Sequence, residues 1–191
     1  MAWTTLECPN DTEVEEANVK YLLSAVLILT FINATPAQQP VKLVSSTGNF
    51  SVSLPSGERK DETNTANTAD GKRALMHSFA TVQENKSFVV TYTDYPDPVQ
   101  AADSFDAELK EAAAKGAVTD IMRGTRQGHA FITYTLTKKF QDTQAVETRF
   151  SMSVGKRSYL LIAIGPVYDR PTSKEIADFF NSFTLLRQEA H

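Results

Sequence analysis

The hydrophobic pattern between Lys86 and Gly116 changes period once, and that change sets the reading of the whole chain. Phe88, Val90 and Tyr92 alternate with Val89, Thr91 and Thr93, the period of a pleated strand rich in β-branched and aromatic residues. Asp94-Tyr95-Pro96-Asp97-Pro98 cannot continue that strand, because each proline lacks the N–H that a sheet ladder needs. Asp97 reads as a helix N-cap, with Pro98 at the first helical position and Gln100 three residues after the cap. Ala102, Phe105, Leu109, Ala112 and Ala113 follow at helical spacing, which predicts a helix from Asp97 to Gly116.

The flanking segments repeat the strand pattern. Residues 41–45 could form a first strand, and Phe50, Val52 and Leu54 alternate cleanly up to Pro55. Residues 56–71 are polar and lack aromatic residues, so they read as a solvated loop. Strands are predicted over 73–82, 87–94, 118–126, 129–137, 145–154 and 159–164, joined by short reversals. In 145–154, Val146, Phe150 and Met152 oppose Glu147, Arg149, Ser151 and Ser153, and this polar face is expected to meet water. Tyr159 to Ile164 is apolar on both faces, so it should lie centrally, covered on both sides. Thr172 with Glu175 forms a capping box, and Ile176, Phe179, Phe180 and Phe183 form the apolar stripe of a second helix, Thr172 to Asn181. The class is α+β: a central antiparallel sheet of about seven strands with two main helices laid on it.

Charge and composition sharpen this picture. The chain has 191 residues, 41% hydrophobic and 22% charged, enough apolar material for a packed core. Its net charge of −4 is uneven, since five of the 23 acids but one of the 19 bases lie in residues 1–37, leaving 18 of each beyond. A balanced surface has no long-range field to gather nucleic acid or anionic lipid, so neither is an expected partner.

Residues 21–32 carry no charge; a membrane span needs ~20 such residues and a secretory core ~7–15. Thr35 and Ala37 stand where a signal peptidase requires small residues, which predicts export to the periplasm or beyond after cleavage near Ala37. The acidic residues ahead of Lys20 depart from a positive n-region, so translation starting near Val14 or Val19 is one explanation. The alternatives are an anchor over 20–32 or a buried helix. Cys8, the single cysteine, precedes the apolar run, so the processed chain has no thiol and no disulfide. The organisation is then a leader over 1–37, a linker over 38–41, one domain over 42–187 and a frayed tail over 188–191.

Phe50-Ser-Val-Ser-Leu-Pro55 early, Tyr92-Thr-Asp-Tyr-Pro96 before the first helix, and a late helix between Pro166 and Phe183 resemble the PsbP-like family. The resemblance covers the 42–187 domain. It implies an α/β/α sandwich and a non-catalytic domain that binds another macromolecule, either a protein or a cell-envelope component. No residue matches a metal site or binding surface of that family, so the resemblance assigns no site.

Candidate chemistry is sparse. His77 shares a strand face with Leu75 and Phe79, as a structural histidine would, and His129 follows Gly128 at a strand start, where exposure is expected. Neither these nor His191 has metal-ligand spacing. Asp94 and Asp97 flank Tyr95-Pro96 and could hold a cation, but the oxygen-rich spacing of a calcium loop is missing. No nucleophile elbow, phosphate loop or cofactor motif occurs. Lys138-Lys139 and Lys156-Arg157 fall at opposite ends of strand 145–154, ~30 Å apart at ~3.3 Å per residue, and read as solvated turn charges. The expectation is a monomeric binding domain without catalytic residues, metal or cofactor, whose candidate contacts are His77, Asp94, Tyr95, Asp97 and His129. The alternative is a small hydrolase or ligand-binding protein using His77 or His129.

Overall fold

Alternating residues do build the strands, and they sort into two sheets. A computed structural model describes residues 39–67, 72–140 and 142–186. The leader, residues 68–71 and the tail lie outside the described residues. β1 (Val41–Ser45) and β2 (Phe50–Leu54) pair antiparallel, and β10 (Thr184–Leu185) adds to β2, giving a three-stranded sheet. The remaining strands are β3 (Glu58–Asn67), β4 (Arg73–Gln83), β5 (Lys86–Asp94), β6 (Ala117–Arg126), β7 (His129–Phe140), β8 (Thr143–Val154) and β9 (Arg157–Pro166). They form one seven-stranded antiparallel sheet in the order β3-β4-β5-β9-β8-β7-β6. The helices are α1 (Ala101–Lys115) and α2 (Ser173–Ser182), with a 3-10 turn, Val167–Asp169, leading into α2. Among the described residues no helix is long and apolar enough to cross a membrane.

Two apolar clusters follow from the strand period. Phe88 and Val90 of β5, Phe150 and Met152 of β8, and Tyr159 and Leu161 of β9 are buried with Phe50 and Val52 of β2 and with Phe179, Phe180 and Phe183. Phe105 and Ala112 of α1 are buried with Ile132, Tyr134 and Leu136 of β7. At roughly 1.5–3 kcal/mol per buried large side chain, the first and larger cluster dominates the stability.

Four expectations are corrected. The supposed loop contains β3, a ten-residue edge strand paired with β4 throughout. Its sequence, Glu-Arg-Lys-Asp-Glu-Thr-Asn-Thr-Ala-Asn, shows no apolar alternation, because an exposed edge strand has no core face to supply.

Helix α1 starts at Ala101, with Gln100 as N-cap and no side-chain cap bond. The backbone N–H of Tyr95 donates to Lys156 O and that of Val99 to Gly155 O, both at 2.8 Å, which holds the proline segment against the β8–β9 turn. Asp97 therefore caps nothing; its carboxylate meets Lys72 Nζ at 2.5 Å. Capping of α2 is as expected, with Thr172 Oγ1 accepting from Glu175 N and Glu175 Oε2 from Thr172 N.

The polar face of β8 is not wet: Glu147, Ser151 and Ser153 are buried. Of β9, Tyr159, Leu161 and Ala163 are buried, whereas Leu160, Ile162 and Ile164 on the other face are only half-buried.

Candidate functional site

The sequence-nominated residues divide between two ends of the sheet. In antiparallel register His77 stands opposite Tyr92, and Tyr92 opposite Tyr159. The His77 ring stacks on Tyr92 at 4.6 Å, and the Arg157 guanidinium lies 4.7 Å from the same ring. Arg157 Nε and Nη2 donate to the two Asp94 oxygens at 2.5 and 2.7 Å, and its Nη1 donates to the Thr47 carbonyl at 2.7 Å. The hydrogen bonds to Asp94 raise the Arg157 pKa above its ordinary value. The Tyr159 hydroxyl donates to Gly48 O at 2.8 Å, so this cluster fastens the β1–β2 turn to the end of the main sheet.

The structure thus brings His77 and Asp94 into one cluster, with Tyr95 and Asp97 following along the same corner. His77 Nδ1 pairs with Thr63 Oγ1 at 3.0 Å rather than with an acid. His129 is half-buried rather than exposed and lies in β7, four strand spacings from β4, or ~19 Å away. The two histidines cannot act on one group. Arg157 and Lys138 are not solvated turn charges either: the first is bound as above, and the second pairs with Glu147.

That pairing belongs to a polar network between α1 and the sheet, which the sequence did not suggest. Tyr134 stands opposite Arg149, Ile132 opposite Ser151 and Leu136 opposite Glu147, so all six share the face that α1 covers. Glu108 reaches down from α1; its Oε1 accepts from Tyr134 OH at 2.8 Å and from Ser151 Oγ at 2.9 Å. Arg149 Nε and Nη2 donate to Glu147 Oε2 at 2.9 and 2.5 Å, and its Nη1 to Tyr134 at 3.3 Å. Two carboxylates, one ammonium and one guanidinium are balanced. Burial acts to raise the Glu147 pKa, but Arg149 and Lys138 outweigh it and hold the carboxyl below the usual carboxylate range. Burial, then the Glu108 charge, pushes the Tyr134 phenol well above its ordinary value. A phenol so held is a fixed hydrogen-bond donor and not a base at neutral pH. The one sequence sign was Glu108 itself, an acid three residues from Phe105 and four from Ala112 on the helix stripe.

A third arrangement is an open cleft of about 620 Å³ between the sheet and the first turn of α2. Thr135, Thr148 and Ala163 form its floor, Asp120 one wall, and Arg170, Pro171 and Ser173 the other. Asp120 sits in a bulge of β6 between Thr119 and Met122, with φ at +53°. Gly165 lets the 169–171 connection press onto β9: a Cβ there would lie 2.7 Å from Asp169 O and 3.1 Å from Pro171 Cδ. Periodicity carries no trace of this cleft, because its residues meet only through register. Among the described residues no cluster of three metal-ligating side chains occurs.

No protein-family model matches the chain, and no curated protein matches it. Among solved structures it is similar, at 14% identity and a TM-score of 0.49, to a crystal structure from Bacteroides thetaiotaomicron VPI-5482, with 79% of this chain and 50% of that chain covered. The chain therefore spans half the length of that protein.

Proposed function

We propose that the chain is an exported, monomeric, non-catalytic binding domain of PsbP-like type, and that its partner is a protein of the cell envelope. Its layers read as an α/β/α sandwich, with α1 on one face of the seven-stranded sheet and α2 with the small sheet on the other. Supporting this, the residues that pack on α1 and those that pack with α2 alternate along β7 and β8.

One observation carries the binding reading. On the face that bears the Glu147–Arg149 network, Leu160, Ile162 and Ile164 of β9 and Val89 of β5 form a half-buried apolar row. α1 packs on β6, β7 and β8. An apolar segment of a partner laid beside α1 would complete that layer and dehydrate the row.

The test is crosslinking of the chain in its own envelope, compared with an Ile162→Ser variant of unchanged melting temperature. A single protein partner, crosslinked to residues on β5 or β9 and lost with the variant, is the expected result. Capture that ignores the substitution, or crosslinks confined to other surfaces, refutes it. Export is tested separately by intact mass: material starting at Gln38 supports cleavage near Ala37, and a mass that includes residues 20–32 refutes it.

A further inference from the structure

We propose that the cleft between β6 and α2 is a binding site for a short peptide with free termini, its carboxylate at Arg170 and its ammonium group at Asp120. This site faces away from the apolar row on β9 and stands independently of the partner surface argued there.

The floor comes from one register line that crosses four strands. Thr119 stands opposite Thr135, Thr135 opposite Thr148, and Thr148 opposite Ala163. Thr135 and Thr148 alternate with residues packed against α1, so their hydroxyls point to the other side and into the cleft. Ala163, buried and small, leaves the floor low beside them. Each threonine hydroxyl can both donate and accept, which suits the alternating N–H and C=O groups of a peptide backbone. The volume, about 620 Å³, is within the range of small-ligand sites.

On either side of this floor stand opposite charges with no counter-ion among the described residues. Arg170 makes no hydrogen bond or ion pair among the described residues, and the side-chain partner of Asp120 is the neighbouring Thr119 hydroxyl, at 3.0 Å. The bulge re-aims Asp120, as bulges at functional edges do. Arg170 shares its wall with the first turn of α2, whose dipole end also favours an anion.

Arg170 sits on the connection laid over Gly165 of β9, three strand spacings (~14 Å) from β6 at the backbone, and no ion pair joins it to Asp120 among the described residues. An extended chain covers up to ~3.5 Å per residue, so three or four residues bridge the two groups. Val146 and Ile176 line the same space and favour small aliphatic side chains. The lining includes no aromatic platform on which a sugar ring would stack.

The test is NMR titration of the isotope-labelled full chain with trialanine, N-acetyl-trialanine and trialanine amide. Saturable shifts at Thr135, Thr148 and Ser173 are expected with trialanine, and blocking either terminus should weaken binding by about tenfold. Arg170→Ala should abolish the preference for the free carboxylate alone, and Asp120→Asn the preference for the free amine alone. Both side chains are exposed, so the fold is kept, and matching spectra away from the cleft verify it. Shifts located elsewhere, no saturable shift at millimolar peptide, or equal affinity for blocked and free termini would overturn the proposal.

Discussion

Substituting Glu147 by glutamine tests whether the network under α1 holds the fold. Glu147 is 3% exposed, and its partners Lys138 and Arg149 have side chains 11% and 13% exposed. Removing the one carboxylate that both cations contact leaves two positive charges in a dry site. Breaking a buried pair in this way costs about 3–5 kcal/mol, against a total stability of roughly 5–15 kcal/mol for a domain. Urea unfolding at pH 7 reads this directly: with a slope of ~2 kcal/mol per molar, the midpoint should fall by about 1.5–2.5 M. The triple change Lys138→Met, Glu147→Met and Arg149→Met removes the Glu147 carboxylate together with both cations it contacts, leaving Glu108 on its Tyr134 and Ser151 donors, and should recover most of the loss, because an ion group replaced by packed apolar side chains is near neutral. The pH dependence has a definite sign. The folded carboxyl titrates below its ordinary range, so its contribution is complete above the unfolded value of ~4.3 and is lost as pH falls through the lower folded value. A loss under about 1 kcal/mol for the glutamine variant, or a triple variant as unstable as the single one, would refute the reasoning.

Arg157→Ala should lower the melting temperature by about 3–8 °C, because it frees the β1–β2 turn and leaves Asp94 without its fork; a scan by circular dichroism checks this, and an unchanged midpoint contradicts it. Gly116→Ala should cost roughly 2 kcal/mol or more: φ there is 174°, which any residue adopts, but a Cβ would stand 2.2 Å from the Thr137 carbonyl oxygen. Equilibrium unfolding measures it, and wild-type stability would show that the α1–β6 junction yields without cost.

How much was legible depended on whether a residue's role lay in its own segment. The strand over Phe50, Val52 and Leu54, the central strands and α2 with its capping box could be read, because periodicity and caps are local. β3 could not, since an edge strand wet on both faces has the composition of a loop. Asp97 satisfies every local rule for a cap and loses to tertiary contacts, namely two backbone bonds from Tyr95 and Val99 that hold the segment against the β8–β9 turn, so that the helix begins only after Gln100. Alternation alone assigns the polar side of β8 to water, because it reports chemistry and not what lies above the strand. Only Glu108 on the helix could have warned that an acid was waiting there.

The same limit separates charges that hold the fold from those available to a ligand. In the network, Glu147 lies against Arg149 and Lys138 with Glu108 as the second carboxylate, and at Asp94 the guanidinium meets both oxygens within 2.7 Å, so each cluster is neutral and its hydrogen bonds are spent internally. Changing such a group alters stability before it alters anything else. Asp120 and Arg170 are also an acid and a base over one cavity, yet among the described residues no ion pair joins them. Their charges stay hydrated, which makes their removal cheap for the fold and leaves their hydrogen bonds free for a molecule long enough to touch both. The two sets should therefore respond oppositely to substitution: large stability loss in the first, little in the second. That contrast follows from whether tertiary structure sets an opposite charge against each group, which residues alike in sequence do not share.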